Sequence, residues 1–211
     1  MMRILRFKRL LCLTIAIGLL SVSRLSVSPA LAEWQDDAKA CEDQLKAKQL
    51  DQAIQMCTKA IDGGAPSEEA LAFTYNLRGI SYALKGSDDL AIKDFGEVLS
   101  RKPNPGTFVN RGSVYLRKGD MDLAIQDFTQ SIGQKPNPQA YMARGQAYAR
   151  KGDANRAIAD FEQAFSLGGE PAVKSLQNHL KTHGKYTGAV DGKYGPGTRK
   201  ALEACLQDPN C

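Results

Sequence analysis

Apolar, glycine and polar positions return in a fixed order every 33 residues through the middle of the chain. Gly79, Gly112 and Gly145 keep that step, as do Tyr82, Tyr115 and Tyr148. So do Gly86, Gly119 and Gly152, then Ala91, Ala124 and Ala157, then Phe95, Phe128 and Phe161. Five triples in phase mark an internal repeat. Each unit reads as two antiparallel helices. Lys85-Gly86-Ser87, Lys118-Gly119-Asp120 and Lys151-Gly152-Asp153 form the turn, with Gly ending one helix and Ser or Asp capping the next. Pro103 and Pro136 cannot continue a helix and close the units. Gly79 inside a helix costs about 1 kcal/mol relative to Ala. Its presence predicts close approach of the next helix at Ala91, with Tyr82 and Phe95 filling the space beside that contact. Units of this kind stacked in register make an all-α solenoid.

Charged positions share the period. Arg78, Arg111 and Arg144 recur together with Asp94, Asp127 and Asp160. The Arg row alone would suit an acidic ligand. Because the two sets travel together, the expectation is Arg–Asp pairing between the facing helices of each unit.

The rhythm stops after Ala164, and Gly168-Gly169-Glu170-Pro171 reads as a break. Beyond it Val173, Leu176, Gln177 and Leu180 share one helical face. A glycine-rich turn through Gly184, Tyr186, Gly188, Asp191, Gly192, Tyr194, Gly195 and Pro196 leads to a second helix, with Thr198 as its cap and Ala201 and Leu202 inside it. Lysine and arginine outnumber acids after Pro171 and are outnumbered by them between residues 33 and 170, so composition also shifts there.

The repeat residues resemble the tetratricopeptide repeat, with three good copies over residues 72–170 and helix-opening aromatics at Tyr75, Phe108 and Tyr141. A degenerate copy precedes them, with Ala53, Cys57 and Ala60 at second-helix positions and Cys41 where Gly is usual. The extra residues of this copy fall in Gly63-Gly64-Ala65-Pro66-Ser67. The resemblance implies a concave groove lined by first helices that holds a peptide or partner protein. Asn76, Ile80, Val109, Asn110, Ser113, Met142 and Gln146 are the groove candidates, with Lys85, Arg117 and Arg150 as a basic rim. They do not reproduce the Lys, Asn and Arg clamp with which some members grip a C-terminal carboxylate. Val173 to Leu202 resembles the peptidoglycan-binding module, V-K-x-L-Q-x-x-L followed by G-x-Y-x-G-x-V-D-G-x-Y-G-P-x-T-x-x-A-L. The chain departs from that pattern at Cys205-Leu206, where the family has Phe-Gln, and ends at Cys211 before the module's usual remaining segment. Tyr186, Asp191 and Tyr194 are the candidate glycan contacts. The alternative is that the tail caps the solenoid without touching the wall.

The first 32 residues contain five basic residues (Arg3, Arg6, Lys8, Arg9 and Arg24), no acid, an apolar run Leu10–Leu20, and Ala30-Leu31-Ala32. This is the layout of a secretory signal cleaved before Glu33. A retained signal-anchor is the alternative, but the apolar run falls short of the roughly 20 residues that span a bilayer. Cys12 is preceded by bulky Leu11, against a lipoprotein site. Without the leader, Cys41, Cys57, Cys205 and Cys211 remain, consistent with two disulfides in an oxidising periplasmic or secreted setting. Three pairings are open, and proximity favours Cys41–Cys57 and Cys205–Cys211. In the repeat reading the first would staple the terminal unit, and in the module reading the second would pin the shortened end.

The formal charge of +5 resides wholly in the leader, which leaves a neutral chain without the footprint of a nucleic-acid binder. Gly188 to Lys193 falls short of a phosphate-binding loop and lacks its Ser or Thr. His179 and His183 share a helix in H-x-x-x-H spacing, but the sequence offers neither the catalytic Glu of H-E-x-x-H nor an evident third ligand. Metal, cofactor and catalytic residues are therefore all read as none. The expected divisions are a signal at 1–32, repeats at 33–71, 72–104, 105–137 and 138–170, and the peptidoglycan-binding-like module at 171–211. The expected role is an exported adaptor that holds a protein in its groove and contacts peptidoglycan through its tail. A pure interaction protein and an accessory factor of wall turnover are the alternatives.

Overall fold

The computed structural model describes residues 29–208 and 210–211. The leader expected at 1–32, Cys12 included, lies outside the described residues up to position 28. Pro29–Ala32 form the first turn of α1, so a cut after Ala32 would start that helix at Glu33.

Among the described residues all regular structure is α-helical: α1 (Pro29–Lys46), α2 (Leu50–Asp62), α3 (Glu68–Lys85), α4 (Asp88–Arg101), α5 (Pro105–Lys118), α6 (Met121–Gln134), α7 (Pro138–Arg150), α8 (Ala154–Thr182) and α9 (Pro196–Leu206). Successive helices pack as hairpins, α1 on α2, α3 on α4, α5 on α6, and α7 on α8. First helices also touch one another across hairpins, α1 to α3, α3 to α5 and α5 to α7. Second helices of successive hairpins make no comparable contact among the described residues, which places the first helices on the inside of the curve.

The helix starts are set by side chains that the period did not single out. Ser67 Oγ accepts from the Ala70 N–H at 3.1 Å, Asn104 Oδ1 from Thr107 at 2.9 Å, and Asn137 Oδ1 from Ala140 at 2.8 Å. Pro105 and Pro138 follow their Asn caps at the first helical position, where a missing N–H costs nothing. The expected caps Ser87 and Asp120 make no side-chain cap bond, and only Asp153 does, to the Arg156 N–H. Gly86 and Gly119 adopt left-handed φ, and the next N–H reaches back to Tyr82 O and Tyr115 O at 2.9 Å. That backbone closure satisfies the turn without a side chain.

The repeated Gly and Phe are partners. A Cβ at Gly79 would lie 2.9 Å from the Phe95 ring, at Gly112 2.8 Å from Phe128, and at Gly145 2.7 Å from Phe161. The nearest neighbour that requires glycine is therefore the Phe ring, and the next helix itself also comes close, with Ala157 O 3.2 Å from a Cβ at Gly145. Arg78, Arg111 and Arg144 each grip Asp94, Asp127 and Asp160 through two N–H···O bonds of 2.7–2.9 Å. The Arg row belongs to the hairpin interior.

In the first hairpin Cys41 is bonded to Cys57, and both are fully buried with Ala53 and Ala60. Their separation of 16 equals that of Gly79 and Phe95, so a covalent bridge stands where later hairpins use ring-on-backbone contact.

The break at Gly168-Gly169 is a kink rather than a loop. Helical geometry runs on both sides of Gly169, whose φ of 65° and ψ of −160° redirect α8. The second limb of α8 supplies Val173 and Leu180 to a core that also holds Phe161 and Phe165 from its first limb and Ala201, Leu202 and Cys205 from α9. Solenoid and tail thus share one core. Thr198 does not cap α9. Gly195 and Pro196 open the helix, and Thr198 is buried within its first turn.

Candidate functional site

Of the groove candidates, Val109 is buried in a hydrophobic core and Ile80 packs beside Ala91 and Phe95, while four others divide between two places. Asn76 and Asn110 line a cavity of 280 Å³ between α3 and α5, beside Phe73, Val98 and Thr107. Phe73 is 45% exposed there. Gln146 and Arg150 line a cavity of 990 Å³ farther along, where α7 faces the second limb of α8 and the end of α9. Its apolar wall is Met142, Phe165, Ala172, Leu176, Leu202 and Leu206, and Ser175 and His179 stand on the tail side. Half of this cavity is therefore built by the tail, which the repeat pattern alone does not reveal. Residues such as Leu176 and Leu206, assigned only to the module fold, turn out to line it.

Ser113 and the basic rim are otherwise engaged. Ser113 Oγ donates to Val109 O at 2.7 Å within α5. Arg117 pairs with Asp88 of the preceding hairpin, its Nε at 3.1 Å, and donates to Ala83 O at 3.0 Å. Arg150 donates to Leu116 O at 3.0 Å. Lys85 pairs with Asp51, Lys118 with Asp89 and Lys151 with Asp122. What was expected to be a rim for ligands is a series of braces from the end of each first helix to the hairpin before it. The hydrogen bond to Asp88 holds the Arg117 guanidinium above its ordinary pKa, against the opposing effect of burial.

The turn of the tail is organised by Gln177, a fully buried amide on the otherwise apolar face of α8. Its Nε2 donates to Asp191 Oδ1 at 2.9 Å and to Lys193 O at 3.1 Å, and its Oε1 accepts from the Gly192 N–H at 2.8 Å. Burial of an amide without such partners would cost a few kcal/mol. A polar residue at a core position of a helix was the available sequence signal for this hub. Asp191 is held below the ordinary carboxylate range, first by the Gln177 amide and then by the Lys193 N–H. Tyr186 donates to Ala189 O at 3.1 Å and packs on the shared core. Tyr194 tilts against Phe165 with centroids 5.5 Å apart and donates to Glu162 Oε1 at 3.3 Å. Burial, then the Glu162 charge, push its phenol pKa up. The three candidate glycan residues are thus brought together around one turn, with their polar atoms engaged internally.

Cys205 is bonded to Cys211, which folds the chain end back over α9. His179 Nε2 lies 3.2 Å from Cys211 O, and the rings of His179 and His183 are 4.5 Å apart. The His179 nitrogen and the two sulfurs fall within 4.8 Å of one another. Among the described residues no helix is long and apolar enough to cross a membrane.

Comparison with known proteins agrees with both halves of this architecture. Residues 109–169 match the family described as "Tetratricopeptide repeat", and residues 169–205 match the one described as "Putative peptidoglycan binding domain". No curated protein matches the sequence. A crystal structure of MamA is 18% identical, with 81% of this chain and 91% of that chain covered and a TM-score of 0.62. A second MamA structure is 23% identical over 64% of this chain and 78% of that one, with a TM-score of 0.59. A tetratricopeptide repeat protein from Parabacteroides merdae is 19% identical over 74% of this chain and 62% of that one, with a TM-score of 0.63. At these identities the likeness is one of fold. The described residues form a helical solenoid of the tetratricopeptide-repeat type, with a last segment similar to the peptidoglycan-binding family.

Proposed function

We propose that this chain is an exported scaffold of the bacterial cell envelope, which holds a segment of a partner protein in its groove and rests on peptidoglycan through its tail. A repeat solenoid of this type implies protein partners, and the observation that carries the reading is the 990 Å³ cavity shared by α7, α8 and α9. Its apolar wall suits the side chains of an extended or helical segment, and Gln146 and Ser175 offer polar contacts to its backbone. The tail does not serve as a flexible tether in this view. It shares a core with the last hairpin, so groove and tail present one surface. Two bridged cysteine pairs and the leader pattern support export. No catalytic set is part of this reading.

A second reading has its own support. The inward use of Tyr186 and Tyr194 favours a tail that only caps the solenoid. Both readings keep the groove, which is tested by a photoreactive residue placed in cells at Gln146 or, as control, at Lys93, exposed on the second helix α4. Gln146 is expected to give a discrete cross-linked species that Lys93 does not. Equal or absent cross-linking at both positions would remove the groove from the account. Mass spectrometry of the recovered chain should find its N-terminus at Glu33, and an intact leader on all of it would overturn export.

A further inference from the structure

We infer that His179, Cys205 and Cys211 form a latent metal site, closed while the two cysteines are bonded and opened by a dithiol reductant to hold one zinc-like divalent ion. The three donor atoms already fall within 4.8 Å of one another. They come from two elements that the shared core fixes against each other, α8 and α9 with its terminal hook. Cys205 is buried in that core and cannot swing away, while His179 lies at the cavity edge with Nε2 turned to the hook, 3.2 Å from Cys211 O. The Cα atoms of the two cysteines are 5.2 Å apart, a span that side chains can bridge through a metal as well as through a bond. Two thiolates and an imidazole are a donor set that zinc favours, with a tetrahedral fourth position left over.

The chemistry balances with a dithiol as co-reactant. Thiol–disulfide exchange breaks the Cys205–Cys211 bond, each sulfur gaining one electron and one proton, while the dithiol closes to its own disulfide. Metal uptake then releases the two thiol protons as the sulfurs coordinate. The two histidines of the sequence, His179 and His183, both belong to the tail, and among the described residues the Cys41–Cys57 pair joins no such donor group.

The test is titration of the purified chain with cobalt(II), followed by absorption, before and after dithiol treatment and desalting under anaerobic conditions. The reduced chain is expected to take up one equivalent, with tetrahedral d–d bands and a thiolate-to-cobalt charge-transfer band that zinc abolishes, while the oxidised chain shows neither. His179→Ala should weaken binding by about tenfold or more, the scale set by loss of even a supporting contact to a metal ligand. Cys205→Ser/Cys211→Ser should abolish the thiolate band in reduced protein that still contains Cys41 and Cys57. Circular dichroism on each variant separates loss of the site from loss of the fold. Absence of the bands in the reduced chain, or bands unchanged in folded Cys205→Ser/Cys211→Ser protein, would overturn the inference.

Discussion

An alanine at position 112 would place its Cβ 2.8 Å from the Phe128 ring and 3.2 Å from Asp127 Cβ. Neither neighbour has room to yield, because Phe128 is fully buried and Asp127 is held by Arg111. Gly112→Ala should therefore lose about 1–3 kcal/mol despite its better helix propensity, as overpacked cores do. Urea denaturation checks this, and equal or greater stability of the variant would show that the ring can move aside. The glycine was legible in the sequence as a close-approach position, but its partner was not. Periodicity names positions that recur together without saying which pairs touch. Arg111 and Asp127 were assigned correctly because opposite charges restrict the choice, whereas Gly112 could face either Ala124 or Phe128. A residue-scale pH effect follows from Asp191 and Asp208. The Gln177 amide lowers the first and the Lys185 ammonium lowers the second from an ordinary value of 3.8. A lowered folded pKa stabilises above the unfolded value and is lost as pH falls through the folded one. The melting temperature should thus fall as pH drops through and below 3.8, and Asp191→Asn should flatten part of that slope. A variant with an unchanged slope would remove Asp191 from this balance.

At the level of helices and hairpins, the first unit differs in kind from the others. Among the described residues it has no hairpin on its outer side, and Met56 stands where Asp94 stands in the second hairpin, so it lacks the Arg–Asp clamp. The Cys41–Cys57 bridge compensates by restricting the unfolded chain, worth about 3 kcal/mol for a loop of this length in the chain-entropy account. Cys41→Ala/Cys57→Ala should lower stability on that order, with hydrogen exchange accelerated first in α1 and α2. Uniform acceleration along the chain would mean that the terminal hairpin does not open independently. Helix existence was legible almost throughout, because Gly and Pro punctuate each unit. The caps were less so. Ser87 and Asp120 have the right chemistry, but the left-handed glycine before each lets the backbone close the turn itself. Asn104 and Asn137 carry that role between hairpins, just before Pro105 and Pro138.

Across the described molecule, the joining of the last hairpin and the tail in one core is what the sequence showed least. A change of rhythm and charge at Pro171 pointed to a separate module, and two helical limbs do meet there across the non-helical Gly169. Phe161 and Phe165 on one side share a core with Leu180, Leu202 and Cys205 on the other. Such contacts join distant positions across a turn whose direction no local pattern encodes. The large cavity arises from the same junction, and for that reason groove residues at Leu176 and Leu206 were not foreseen. The fate of Tyr186 and Tyr194 also depends on it, since their hydroxyls turn inward. Any wall contact must then use what the tail leaves outside, including exposed Lys181, Lys193 and Lys200, which suit the carboxylates of peptidoglycan. Co-sedimentation of the intact, oxidised chain with purified peptidoglycan sacculi is the most direct measurement. The chain is expected to pellet with the sacculi, and Lys181→Glu/Lys193→Glu/Lys200→Glu protein, still folded, to remain in the supernatant. A native chain that stays in solution would contradict wall contact and leave the tail as the cap of a protein-binding solenoid.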